Sequence, residues 1–266
     1  MKIAIVTGAS SGMGREFVLQ LGYYVSVEEI WVIARRREAL EALAGKVSAK
    51  IRPVTLDLCK AESFTALAEL LAAEKPDVKL LVNAAGFGKF GSHHRIAMEE
   101  ELKMIDLNSR ALVAVTRIVL PYMNPGSHIL QLDSLSAFQP VPYLATYGAT
   151  KGFVLSYSRA MNRELRPRGI RMMAMNPGWV KTEFFNHAMK SDTESEVQYF
   201  SHLYEAKDVV ASGLKALYRS KKDFIVHGLP FSAQTLMVKF VPHRFVMDIW
   251  QAQQKKAKNN TGLTTK

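Results

Sequence analysis

Residues 2–14 read Lys2-Ile3-Ala4-Ile5-Val6-Thr7-Gly8-Ala9-Ser10-Ser11-Gly12-Met13-Gly14. The first five form a short apolar run, which marks a buried strand. The run breaks at a glycine-rich turn, and residues 14–22 can form a helix. Gly8 permits the tight turn, Gly12 lets the backbone approach a pyrophosphate, and Gly14 allows close packing of helix on strand. Such a helix start offers unpaired N–H groups and the positive end of its dipole to phosphates. The spacing is Gly-x-x-x-Gly-x-Gly rather than the commoner Gly-x-Gly-x-x-Gly.

Outward from this turn the chain alternates. Strands are expected at 30–34, 51–56, 79–83, 127–132, 170–175 and 224–227, and helices at 36–46, 61–73, 97–120, 147–165 and 206–219. Alternation of this kind implies right-handed crossovers and a parallel sheet. The expected fold class is α/β: a Rossmann-type doubly wound sheet of about seven strands flanked by helices, with a C-terminal helical extension. No linker or internal repeat interrupts it, so residues 1–266 read as one domain. Its core would be 1–227, with a loop over about 183–205 and an extension over 228–266.

Composition narrows the class. The 266 residues are 48% hydrophobic and 22% charged, ordinary values for a globular protein. Cys59 is alone, so no intrachain disulfide forms, and nothing around it suggests a nucleophile. The N-terminal apolar run is too short for a signal peptide, and no stretch approaches a membrane span, so a cytoplasmic location is expected. The formal net charge is +11, yet the basic residues are scattered apart from Arg35-Arg36-Arg37 and the tail Lys255, Lys256 and Lys258. No basic stripe interleaved with aromatics suggests nucleic acid. His93, His94 and His187 lack ligand-spaced carboxylates, so no metal is expected.

The second strand ends in Ala34-Arg35-Arg36. A dinucleotide fold that prefers NAD(H) carries a carboxylate here for the ribose 2′-hydroxyl. Guanidinium groups suit a 2′-phosphate, so NADP(H) is favoured over NAD(H). Tyr147 and Lys151 stand at i and i+4 of a helix, hence on one face. An adjacent ammonium favours a phenolate and would pull the phenol's pKa down toward neutrality. Ser134 ends the fifth strand, where such sheets place their ligand crevice.

With Asn83-Ala84-Ala85-Gly86, Asn108 and Pro177-Gly178, these pieces resemble the classical short-chain dehydrogenase/reductase family, in its order and spacing, over about residues 1–227. The resemblance implies the following roles. Tyr147 is the general acid/base, Lys151 lowers its pKa and binds the nicotinamide ribose, and Ser134 holds the substrate oxygen. Ser136, eleven positions before Tyr147, is the less favoured serine. Asn108 holds a water that relays protons to Lys151. Gly8, Ser10, Ser11, Gly12, Met13 and Gly14 hold the pyrophosphate. Arg35 and Arg36 face the 2′-phosphate, Asp57 and Leu58 the adenine. Asn83, Ala84, Ala85 and Gly86 support the sheet and line the cofactor, while Pro177, Gly178, Val180 and Thr182 cover the nicotinamide. The stretch Tyr23–Glu29 lacks the family's small-residue run, so a different helix end is expected there.

The reaction so implied is transfer between NADP(H) and a ketone or secondary alcohol. Phe87, Phe138, Tyr143, Trp179, Phe184 and Phe185 are candidate pocket residues, which suggests an apolar substrate such as a steroid or bile acid. The loop after Thr182 would close over it. A 3-ketoacyl thioester reductase is the alternative. A non-catalytic NADP-binding regulator is a third reading, against which both Tyr147 and Lys151 are present. The extension at 229–250 resembles that of members near the 3-ketoacyl and 17β-hydroxysteroid reductases. It is read first as a lid, then as an oligomer contact, and last as a membrane-surface element, because Pro242 interrupts it. The resemblance implies a homodimer or homotetramer, with no membrane partner expected.

Overall fold

A computed structural model describes residues 1–188 and 196–262. The first half runs β1 (Lys2–Thr7), α1 (Gly12–Gln20), β2 (Glu29–Ala34), α2 (Arg37–Glu41), β3 (Lys50–Thr55), α3 (Ala61–Glu74), β4 (Asp77–Asn83), α4 (Met98–Ile105) and α5 (Leu112–Val119). The second half continues β5 (His128–Leu132), α6 (Ala145–Leu165), β6 (Arg171–Asn176), β7 (Val180–Lys181), α7 (Phe184–Ala188), β8 (Tyr204–Glu205), α8 (Ala206–Arg219), β9 (Phe224–Val226), α9 (Leu229–Met237) and α10 (His243–Gly262).

Seven strands form one parallel sheet in the order β3-β2-β1-β4-β5-β6-β9, and β7 pairs with β8 apart from it. This is the expected α/β architecture. Its strand β1 is buried on both faces, as parallel sheets require. Ile3 and Ile5 join Leu67, Leu71, Val115 and Ile129 on one side. Ala4 and Val6 join Phe17, Val18, Val209 and Leu214 on the other. The order reverses between β1 and β4, and ligands of such sheets bind at that reversal, beyond the carboxyl ends of the strands.

Three local departures have physical causes. The helix expected over 36–46 is only α2, because tight i→i+3 bonds follow it (Ala44 N to Glu41 O, 3.0 Å) and Gly45 turns away at φ 75°. The helix expected over 97–120 is split by a π-helical turn at Asp106–Ala111, which contains Asn108. Such turns are frequent at functional sites. After α1 the chain makes a 3₁₀ turn at Leu21–Tyr23 and runs irregularly into β2, the different helix end the sequence implies.

At the start of β5, His128 lies 4.4 Å from the Tyr218 ring, and its Nδ1 is buried without a partner. Burial, with Arg171 adding to it, pushes its pKa down to about 4. The unfolded chain therefore takes up a proton first as pH falls below about 6.5, and stability is lost progressively down to about 4. Partial solvent access trims the effect, so His128→Phe should reduce the stability change between about pH 7 and 4.5 by about 2 kcal/mol. Urea unfolding at the two pH values measures it, and an unchanged slope would contradict the assignment.

Candidate active site

The glycine-rich turn closes over the end of β1. Gly8 and Gly12 adopt left-handed φ values of 69° and 51°. A Cβ on Gly8 would stand 2.7 Å from Ala84 O, and one on Gly14 only 2.2 Å from Gly8 O. The glycines thus keep open a cradle that side chains would fill, which fits a pyrophosphate. Thr7 ties this turn to the end of β4: its Oγ1 accepts from Ala84 N and Ala85 N, both at 3.1 Å. Asn83 is buried and donates to Thr116 Oγ1 at 3.0 Å, so its side chain supports the sheet. Leu58 is packed in the core, which leaves its backbone rather than its side chain to face an adenine. Beside it, Asp57 accepts from Cys59 N at 3.1 Å. Burial and the nearby Asp57 and Asp106 push the Cys59 thiol up, in keeping with an inert cysteine.

The two arginines separate in the structure. Arg36 reaches over the turn, donating to Ser10 O at 3.3 Å and Ser10 Oγ at 3.4 Å, and pairs with Glu183 at 3.1 Å. Arg35 is exposed on the side of Cys59.

At the ends of β5 and β6 the polar residues converge. Tyr147 and Ser134 face each other across the cavity, close enough for the serine hydroxyl to favour the phenolate. Ser134 Oγ in turn accepts from Ser136 N at 3.2 Å and lies 3.0 Å from Ser136 Oγ, so both serines belong to the site. Lys151, 6% exposed, donates to Leu132 O at 2.9 Å and stands 5.7 Å from the centre of the Tyr147 ring. Gly88 lies against that ring, where a Cβ would come within 3.0 Å of it and within 2.8 Å of Phe184. The Tyr147 phenol is itself buried. Burial is the largest influence and drives its pKa up, with Asp133 adding to it and Ser134 opposing. The chain by itself holds Tyr147 protonated, the form able to donate a proton.

Asp133 was not singled out in the sequence. It is 2% exposed, accepts from Asn176 Nδ2 at 2.6 Å, and has its Oδ1 unpartnered. Burial raises its pKa, while the Lys151 charge and the Asn176 bond pull it down. Burial likewise lowers the Lys151 pKa, and Asp133 opposes this. The one available signal was an acid directly before Ser134 at the end of a buried strand.

Asn108 is held at both ends of its side-chain amide. Its Nδ2 donates to Phe87 O (2.9 Å) and Thr150 Oγ1 (3.1 Å), and its Oδ1 accepts from Phe87 N (3.0 Å). Both amide hydrogens are taken, so the side chain fixes the 86–87 loop to α6. Gly86 fits between Asn108 and Lys151, since a Cβ there would lie 2.9 Å from Asn108 Oδ1.

Tyr147, Ser134, Ser136 and Lys151 all open on one cavity of about 750 Å³. Met13, Ala84, Gly86, Pro177, Val180 and Thr182 line it on the cofactor side. Phe87, Trp179, Phe184 and Phe185 line it as expected substrate contacts, and Phe90 joins them. Phe138 and Tyr143 do not line it. Phe138 packs on Phe224 at 5.4 Å, and Tyr143 sits at φ 68° with its carbonyl bound by Gly91 N. Neither direction is set by local sequence.

The extension supplies the rest of the wall. Phe231 lies on Gly178, where a Cβ would come within 2.0 Å of its ring. Trp250 stacks on Trp179 at 6.3 Å and donates to Pro142 O at 3.0 Å. Gln254, 2% exposed, accepts from Gln198 N and Tyr199 N, both at 2.9 Å. These contacts make α9 and α10 a cap over the site. Residues 189–195 of the expected substrate loop lie outside the described residues, as does the side chain of His187. Among the described residues, no group of three or more metal-ligating side chains gathers. No described helix is long and apolar enough to cross a membrane.

Comparisons with known proteins agree with this geometry. Residues 2–193 match the short chain dehydrogenase family. An NADP-dependent 3-hydroxy acid dehydrogenase of Salmonella typhi is 31% identical over 197 residues, covering 72% of this chain and 78% of the relative. A very-long-chain 3-oxoacyl-CoA reductase of Coprinopsis cinerea is 34% identical over 191 residues, covering 66% of this chain and 54% of the relative. Among solved structures, a short-chain dehydrogenase from Sphingobium yanoikuyae in complex with NADPH has a TM-score of 0.75 at 24% identity, covering 91% of this chain and 97% of that one. With the family matched over most of its length, and serine, tyrosine and lysine gathered at the carboxyl ends of its strands, the chain belongs to the short-chain dehydrogenase family and is an oxidoreductase that acts on an alcohol or ketone with a nicotinamide cofactor.

Proposed function

We propose that this protein is an NADP(H)-dependent reductase of apolar ketones, and the reverse dehydrogenase of the matching secondary alcohols. The observation that carries this reading is the common cavity. Tyr147, Ser134 and Lys151 open into a space walled by Phe90, Trp179, Phe184, Phe185, Phe231 and Trp250.

The glycine cradle, Ala84 to Gly86 and the Pro177–Thr182 stretch would hold the cofactor. When bound, it supplies or takes up the hydride. The chain's own residues handle the substrate oxygen. Ser134 and Tyr147 donate hydrogen bonds to it, placed where negative charge develops. Burial keeps Tyr147 protonated, so in the reducing direction it delivers its proton to the forming alkoxide. Lys151 stands on the same helix face and stabilises the phenolate left behind. Asn108 acts as a positioning residue, holding the 86–87 loop against α6. The aromatic walls exclude water, which strengthens every polar contact inside. Arg36, over the turn, is the group we assign to the 2′-phosphate, with Arg35 secondary. Assembly into a dimer or tetramer belongs to this reading. Met98, Leu102 and Ile105 on α4 are exposed apolar side chains that a second copy would cover.

A turnover panel tests the proposal. With NADPH, kcat/KM should rise from small polar ketones to bulky apolar ones such as ketosteroids. Turnover of 3-ketoacyl thioesters alone would replace the ketone reading with the thioester one. In the same assay, Arg36→Ala should raise the KM for NADPH about tenfold and that for NADH far less. Equal shifts for both would remove Arg36 from the 2′-phosphate.

A further inference from the structure

The cap has a second apolar face. Helical hydrogen bonding continues past α9, with Val241 N bonded to Met237 O at 3.2 Å. On this stretch Phe231, Thr235 and Val238 are buried against the body of the protein, and Phe231 also lines the cavity. Leu229, Leu236 and Phe240 are spaced i, i+7 and i+11, so they form one stripe on the opposite side. They are 86%, 58% and 81% exposed. The next helix repeats the pattern. Val246 and Gln254 of α10 are buried, while Phe245 and Ile249, one turn apart, are 58% and 56% exposed. Scattered exposed apolar residues are ordinary, but five large ones on two consecutive helices mark a docking face.

Charge selects the occupant. Lys239, Arg244, Lys255 and Lys256 are exposed on the cap, and between residues 228 and 262 the one acid is Asp248. A second copy meeting this face across a two-fold axis would bring like charges together, which weakens association. An anionic bilayer surface accepts both the apolar stripes and the cations. The face also reaches the cavity. Met237 and Ile249 are exposed and also line the cavity wall, so the cap carries apolar side chains that face both solvent and cavity.

We propose that the outer face of α9 and α10 docks peripherally on anionic phospholipid, so that an apolar ketone dissolved in the bilayer reaches the cavity beside Met237 and Ile249. Docking stands on the exposed stripes alone, while delivery of the ketone rests on the function proposed above. Pro242 argues against one long interfacial helix. The structure needs none, because an apolar stripe stands on each side of the break.

The test is co-sedimentation of the full-length protein with vesicles. One set is phosphatidylcholine with one-third phosphatidylglycerol, and the other is phosphatidylcholine alone. Binding is expected to the first, much less to the second, and to weaken as salt is raised. The double variant Leu236→Ser/Phe240→Ser should lower the partition coefficient about tenfold or more. Lys239→Glu/Arg244→Glu should lower it without touching the apolar stripe. Tyr23→Ser, at an exposed ring outside the cap, should leave it unchanged. Thermal melts confirm that each variant is folded, and turnover of a small water-soluble ketone without vesicles checks the catalytic reading separately. No binding by the native protein, or binding undiminished in both double variants, overturns the proposal. So does light scattering showing that Leu236→Ser/Phe240→Ser splits an oligomer, which would assign the face to a second copy.

Discussion

Replacing Tyr147 with Phe should lower kcat about 10³-fold, within the range a positioned acid or base contributes, and leave NADPH affinity within about twofold. The substitution removes one oxygen and little else. The ring remains against Phe184 at 5.6 Å and Phe90 at 6.5 Å, so the wall keeps its shape. Ser134 keeps its bonds to Ser136. An interaction made in the transition state disappears, so kcat and kcat/KM should fall together. NADPH consumption gives the rate, and a fluorescence titration gives the cofactor affinity. Turnover within about tenfold of the native enzyme would show that the proton comes from another group.

Gly14→Ala has the largest effect expected away from the reacting atoms. Alanine in a helix is favoured over glycine by about 1 kcal/mol, so propensity alone would stabilise the variant. The new Cβ, however, would lie 2.2 Å from Gly8 O and 2.7 Å from Gly8 C. That oxygen is backbone and has little room to move. Gly8 is held by a 2.8 Å bond from its N to Ile33 O, and it already lies tight against Ala84. Overpacking typically costs about 1–3 kcal/mol, and a 2.2 Å approach to fixed backbone puts this site at the upper end, about 1–2 kcal/mol beyond the propensity gain. The melting temperature should fall by roughly 2–8 °C in a chain of this size. Because the cradle itself must shift, NADPH affinity should fall about tenfold or more. A variant that melts higher and binds NADPH normally would contradict the close approach of α1 to the turn.

Much of the site was legible because its rules are local. Tyr147 and Lys151 share a helix face by their spacing, and Ser134 reaches the crevice by ending a strand. Other features depend on contacts far along the chain. The ring of Phe138 turns to Phe224, which is 86 positions away. Tyr143 is directed by a left-handed backbone and its bond to Gly91. The acid beside Lys151 has chemical meaning only because burial and Asn176 act on it. Burial raises the phenol's pKa, an influence that comes from packing around Tyr147 and not from its neighbours in sequence.

The sequence by itself determined the alternating fold, the glycine cradle and the serine–tyrosine–lysine set. The fold and the cradle follow from short-range periodicity and from backbone freedom at named positions, and the set follows from its ordered resemblance to the family. Only the tertiary structure decided which aromatics wall the cavity, that Arg36 rather than Arg35 covers the turn, and that the extension caps the site with an apolar face left outward. Those outcomes depend on which distant surfaces exclude water from one another, and no local pattern encodes that.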